Sequence, residues 1–132
     1  AVDDVAGVPG RIFDVKGRAT VPGDPEFGVS EHVASVLLSA RAAGCDSGAA
    51  INIRHDRDLL ADLQANGYDA VEFDPEASGD PIAEALAEVD SETLSPTFVL
   101  YQTGGYGIEP IVYVVGPDPD AVATAVTRLL RT

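Results

Sequence analysis

The chain has 132 residues, 22 of them acidic and 8 basic, for a formal charge of −14; so acidic a surface repels nucleic acid and anionic membranes. A hydrophobic fraction of 45% argues against disorder, and the single cysteine, Cys45, excludes an internal disulfide framework and a Cys-cluster zinc site. The length is that of one domain with a core of its own, no stretch approaches the ~20 apolar residues of a membrane span, and the N-terminal AVDDVAGVPG lacks the basic and apolar regions of a signal peptide, so a cytoplasmic protein is expected.

Arg11 to Val15 has strand character, Lys16-Gly17 turns it, and Arg18 to Val21 can return as its hairpin partner. The Pro/Gly stretch from Pro22 to Gly28 reads as a loop. Ser30 is an N-cap for a helix to about Ala43, with Val33, Val36, Leu37 and Ala40 on one face. After a break at Gly44 to Gly48, AAINIR (Ala49 to Arg54) reads as a short buried strand. Asp56 can cap a second helix with Leu59, Leu60 and Leu63 as its buried stripe, ended by Asn66-Gly67 with Gly67 as a left-handed cap. Asp69 to Phe73 alternates like a strand. Asp80-Pro81 opens a third helix, with Ile82, Leu86 and Val89 apolar. Thr97 to Tyr101 is a strand, Gly104-Gly105-Tyr106-Gly107 a glycine-rich loop, and Ile111 to Val115 another strand. Asp118-Pro119 opens a last helix to about Leu130, striped by Val122, Val126 and Leu129. Interleaved strands and helices make an α/β protein, and the two hairpin-like pairs predict a mixed, largely antiparallel sheet.

Few residues carry obvious chemistry. Two histidines distant in sequence, His32 and His55, make a poor zinc site, and His55 reads as an exposed residue at a strand end. There is no nucleophile elbow and no Walker loop. Cys45 lies beside Asp46, which disfavours a thiolate. The loop TGGYGIEP can form a nest of backbone N–H groups for an anion or be a plain turn between strands; no helix follows it, so it is not a dinucleotide fingerprint. Ser30 and His32 stand at a helix N-terminus, which either binds an anion or is simply capped, with Glu31 complementing the dipole. Arg11 and Arg54, at strand ends, are scarce cations in so acidic a chain. Asn52 and Glu109 either touch a ligand or satisfy buried backbone groups. Asp outnumbers Glu and Lys16 is the only lysine, a composition suited to solubility in high salt, as in a halophilic source.

Four segments in order, VPGRI, FGVSEHVA, AAINIRHD and GGYGIEPIVYVVG, resemble the ThiN-type archaeal thiamine phosphate synthase domain over nearly the whole chain. The resemblance implies a three-layer α/β/α sandwich similar to class II aldolase/epimerase-like domains. It implies that hydroxymethylpyrimidine diphosphate is joined to thiazole phosphate with release of pyrophosphate. The family's arginine maps onto Arg11 and its histidine onto His32, as the catalytic pair. Gly28, Ser30, Asn52, Arg54, Gly104, Gly105, Gly107 and Glu109 are the candidate substrate- and phosphate-binding residues. A magnesium ion (Mg2+) could bridge the pyrophosphate; no protein metal ligands are expected. The family domain is often fused behind a pyrimidine kinase domain, so the chain is expected to be the C-terminal part of a longer protein.

A related group joins the domain to an N-terminal helix-turn-helix, where it senses thiamine phosphate and regulates thiamine genes. DNA contact there would belong to the other part, not to this chain. Departures from the family pattern favour such an effector: Glu31 stands where a serine is expected, Gln102 replaces an acid after the aromatic of the penultimate strand, and Ile108 replaces a lysine. A homodimer would need a local apolar patch on the acidic surface.

Overall fold

Two apolar runs, FVLYQ and IVYVVG, are buried almost throughout, as strands are when both faces of a sheet are covered. The computed structural model describes residues 6–7, 13–15, 18–20, 26–27, 31–55, 57–90, 93–105 and 107–130. In it these runs form β7 (Phe98–Gln102) and β8 (Ile111–Gly116), the central antiparallel pair of a four-stranded sheet. β5 (Ala49–Arg54) flanks β8 antiparallel, and β6 (Asp69–Glu72) flanks β7 parallel, giving the order β5-β8-β7-β6. The sheet is therefore mixed, as expected. β7 and β8 are joined by the glycine loop, whereas β5 pairs with β8, a strand distant in sequence.

Alternation along the strands divides the core. Phe98, Leu100, Tyr113 and Val115 pack with Val36, Leu37 and Ala40 of α1 (Glu31–Ala42) and with Ile82 and Leu86 of α3 (Pro81–Ala87). Val99 and Val112 meet Leu63 of α2 (Arg57–Ala65). Val114 meets Val122 and Ala125 of α4 (Pro119–Leu130). Because successive strand residues point to opposite faces, α1 and α3 pack with one set of residues, and α2 and α4 with the other.

Local chemistry places the helix ends. Asp80 Oδ1 accepts from the N–H groups of Ile82 and Ala83, at 3.1 and 3.0 Å, and Pro81 follows at the first helical position. Asp118 Oδ1 accepts from Ala121 N–H at 2.8 Å. Gly67 takes φ +90° beyond α2, as expected of a left-handed cap. Val89 lies beyond α3 yet is half-buried against the same core. Among the described side chains of α4, Val122 of the expected stripe is buried, Val126 packs half-buried against the same cluster, and Ala125, outside the stripe, is buried as well.

Two small antiparallel pairs precede the main sheet. The expected hairpin appears as β2 (Phe13–Val15) with β3 (Arg18–Thr20); Arg11, Ile12 and Val21 lie outside the described residues. β1 (Ala6–Gly7) pairs with β4 (Glu26–Phe27). β4 falls within the stretch read as a loop, since a two-residue strand shows no periodicity and its partner is remote. Among the described residues no helix is long and apolar enough to cross a membrane.

Candidate functional site

β5, β6 and β7 finish at one end of the sheet, and β8 begins there, because β8 runs antiparallel to both neighbours. Arg54, Ile111 and Gln102 form the last cross-strand row at this end, which puts the backbones of Arg54 and Gln102 about 10 Å apart, two strand spacings. Asn52 sits two rows inward, opposite Tyr113. It shares the face of Ala50, which packs into the α1 and α3 core, but is itself exposed.

α1 returns through residues 43–48 into β5 and packs along it. A helix that reverses into the strand beneath it runs antiparallel to that strand. The first turn of α1, which carries His32, thus lies toward the Arg54 end. The dipole of the helix favours anions at that end.

The glycine loop closes the same end and is a tightly built turn. Gln102, only 4% exposed, donates from Nε2 to the Glu109 carbonyl at 2.6 Å and accepts at Oε1 from the Gly104 N–H at 2.5 Å. Gly105 and Ile108 exchange backbone hydrogen bonds of 3.2 and 3.1 Å. Gly104 and Gly107 adopt φ +95° and +73°, a region L side chains rarely enter. A Cβ on Gly105 would lie 3.0 Å from Glu76 Oε1, so a carboxylate from the segment after β6 rests against the loop. Glu109 is exposed, and it is the Glu109 carbonyl that the turn uses.

The other candidate groups have ordinary roles. His55 is half-buried, not exposed, with its ring centroid 6.5 Å from that of Tyr101. That spacing is typical of packed aromatic rings, and Tyr101 belongs with the α2 core. Burial, then the Glu72 charge, raises the Tyr101 hydroxyl above its usual range. Burial pushes the Tyr113 hydroxyl up to about 12, so it stays protonated at neutral pH. Burial likewise raises the Cys45 thiol, which makes it a poor nucleophile. Among the described residues, no three His, Cys, Asp or Glu side chains converge as a metal cage.

The structure thus brings Asn52, Arg54, Gly104, Gly105, Gly107 and Glu109 to one end of the sheet, with His32 in the helix turn directed there. Arg11, Gly28 and Ser30 lie outside the described residues. The sequence reading did not include Gln102 among the site residues. A signal was present: alternation along FVLYQ places Gln102 on the buried face of Phe98 and Leu100, where a polar side chain needs partners.

The sequence model of the family described as Thiamine-phosphate synthase ThiN matches residues 1–128. The Methanothermobacter thermautotrophicus protein named thiamine-phosphate synthase ThiN is 28% identical over 98% of this chain and 72% of its own length. The Methanocaldococcus jannaschii bifunctional thiamine biosynthesis protein ThiDN is 35% identical over 87% of this chain, a match spanning 28% of that longer protein. Among solved structures, the C-terminal domain of a phosphomethylpyrimidine kinase superposes with a TM-score of 0.81 at 27% identity, over 98% of this chain and 77% of that one. The C-terminal domain of a second protein superposes with a TM-score of 0.77 at 29% identity, over 98% and 74%. With a family match that takes in nearly every residue, the chain belongs to the thiamine-phosphate synthase ThiN family.

Proposed function

We propose that the chain is a thiamine phosphate synthase domain that joins hydroxymethylpyrimidine diphosphate to thiazole phosphate and releases pyrophosphate. The observation that carries this reading is the meeting, at one end of the sheet, of the α1 N-terminus, the end of β5 and the glycine loop, in a chain of the ThiN family. The thiazole supplies the electron pair of the new bond to the pyrimidine's methylene carbon. The carbon–oxygen bond to pyrophosphate breaks, and its electrons leave on oxygen.

Negative charge therefore develops at the departing diphosphate, and donors held ready for it stabilise the transition state. In this reading Arg11 grips the diphosphate through paired, charge-assisted hydrogen bonds. His32 gives a proton or hydrogen bond to the departing oxygen. Gly28 and Ser30, just before α1 in sequence, lead into the anion-favouring end of that helix; Arg54 and the Gly107 N–H receive phosphate oxygens, while Gly104 and Gly105, whose own N–H groups are spent inside the turn, give the loop its shape; Asn52 and Glu109 orient the rings. Magnesium carried with the diphosphate would neutralise part of its charge.

The core partition also supports a three-layer α/β/α sandwich similar to class II aldolase/epimerase-like domains, with α1 and α3 as one outer layer and α2 and α4 as the other.

Turnover tests the reading directly. The chain, supplied with both substrates and magnesium, is expected to form thiamine phosphate, read as thiochrome fluorescence. Arg11→Ala and His32→Ala should each cut the rate by about 100-fold or more with an unchanged far-ultraviolet spectrum. A second reading, a thiamine-phosphate-binding effector domain of a regulator, is favoured by Gln102: both ends of its amide are committed to the loop backbone, so it supplies no acid or base. Tight thiamine phosphate binding by folded protein without any turnover would select that reading over the synthase.

A further inference from the structure

We propose that Gln102 is a positioning residue that sets the protein's affinity for a diphosphate group by holding the glycine loop in its receiving shape. The inference rests on the reading of that loop as a wall of the anion site. Gln102 ties the loop backbone together at both ends of the turn: it accepts from the Gly104 N–H at its start and donates to the Glu109 carbonyl at its close. The two contacts have opposite polarity. One needs an acceptor and the other a donor, and both lie against a side chain that is 4% exposed. A neutral primary amide of this length provides both.

An ionised carboxylate of the same shape provides only acceptors. Glu at 102 would still take the Gly104 N–H, but its second oxygen would face the Glu109 carbonyl. Two acceptors would then oppose each other without solvent, and the turn would open. The same residue, once protonated, would regain a donor and close the turn again. Burial and the facing carbonyl push such a carboxyl upward, so the switch falls at mildly acidic pH. The wild-type amide does not titrate. Among the described residues, Glu76 against Gly105, the Glu109 carboxylate, Glu72 at the end of β6, and His55 with Tyr101 beyond are the charged and titratable groups nearest the loop, and the Arg54 backbone lies in the same cross-strand row as Gln102. All are common to wild type and variant, so comparison at each pH cancels them.

The experiment measures the affinity of wild type, Gln102→Glu and Gln102→Met for inorganic pyrophosphate by calorimetry, and KM and kcat for synthesis, at about pH 8 and about pH 5.5, with thermal unfolding as the folding control. At the higher pH, Gln102→Glu is expected to raise the pyrophosphate Kd and the KM for the pyrimidine diphosphate about tenfold, the scale of one hydrogen bond lost from a buried pair, with kcat within about threefold. At the lower pH, its ratio to wild type should fall back toward one. Gln102→Met should be weakened equally at both pH values. Should Gln102→Glu fold poorly, Gly104→Ala, which strains the same turn at φ +95°, is expected to raise Kd independently of pH. An unchanged Kd in both Gln102→Glu and Gly104→Ala would overturn the proposal, as would the same pH dependence in Gln102→Met. Pyrophosphate affinity that drops in Gln102→Glu, in a wild type that makes no thiamine phosphate, would support the positioning role while sinking the synthase reading. Full wild-type synthesis matched by Gln102→Glu would do the reverse.

Discussion

Asp80 joins two helices through one carboxylate. Oδ1 caps α3 through Ile82 and Ala83, and Oδ2 accepts from the Ser39 hydroxyl of α1 at 2.8 Å. The Ala83 N–H above all, with help from Ser39 and Ile82, holds the Asp80 carboxyl below its ordinary 3.8, against the opposing effect of burial. A pKa depressed in the folded state means that the unfolded chain binds the proton more readily. The stabilisation is therefore complete above the unfolded value and is lost as pH falls through the folded one. Asp80→Ala removes the cap and should cost about 1 kcal/mol in urea unfolding at neutral pH. Asp80→Asn keeps a capping oxygen without the charge. The stability gap between wild type and Asp80→Asn should be a few tenths of a kcal/mol up to about 1 at neutral pH and should close as pH drops below 3.8. A gap that kept its size well below that pH would show that the charge contributes nothing there.

At the scale of elements, α2 is held to the sheet by few residues. Leu63 is its fully buried anchor, 1% exposed, packed with Val99 and Val112, while Leu59 and Leu60 are half-buried. Leu63→Ala should lower unfolding stability by about 2–5 kcal/mol, the cost of removing a buried leucine and leaving a void; Leu60→Ala should cost less, and equal losses would contradict this packing. This element also shows what could be read without coordinates. Its leucine stripe, the Gly67 stop and the Asp-Pro openings of α3 and α4 are local signals, and each appears in the structure. The partner of β5 is not local: nothing in AAINIR names IVYVVG as its neighbour, and the parallel join of β6 to β7 depends on how α3 packs. The site was legible in the same measure. Motif order pointed to Asn52, Arg54 and the glycine loop, which do share one end of the sheet. Gln102 was noticed only as a substitution, because its importance lies in two hydrogen bonds to residues two and seven positions onward, a geometry that exists only once the loop has turned back.

For the whole molecule, the charge of −14 bears on folding itself. Compaction gathers like charges, so the folded state suffers more self-repulsion than the extended chain. Screening lengths shrink from about 10 Å at 0.1 M salt to about 3 Å at 1 M, which removes repulsion across the surface while leaving buried packing intact. The urea midpoint at about pH 8 should therefore climb steadily from about 0.05 M to about 0.5 M KCl. Salt also strengthens apolar burial to some degree, so a rise alone does not identify the cause. Titration separates the two. Toward the isoelectric point near 4.1 the net charge falls away, and with it the repulsion that salt can screen, whereas the apolar core is the same at either pH. The rise with KCl should therefore be distinctly shallower at about pH 5 than at about pH 8. Equal slopes at the two pH values would assign the salt effect to apolar burial and leave the acidic surface with a role in solubility alone.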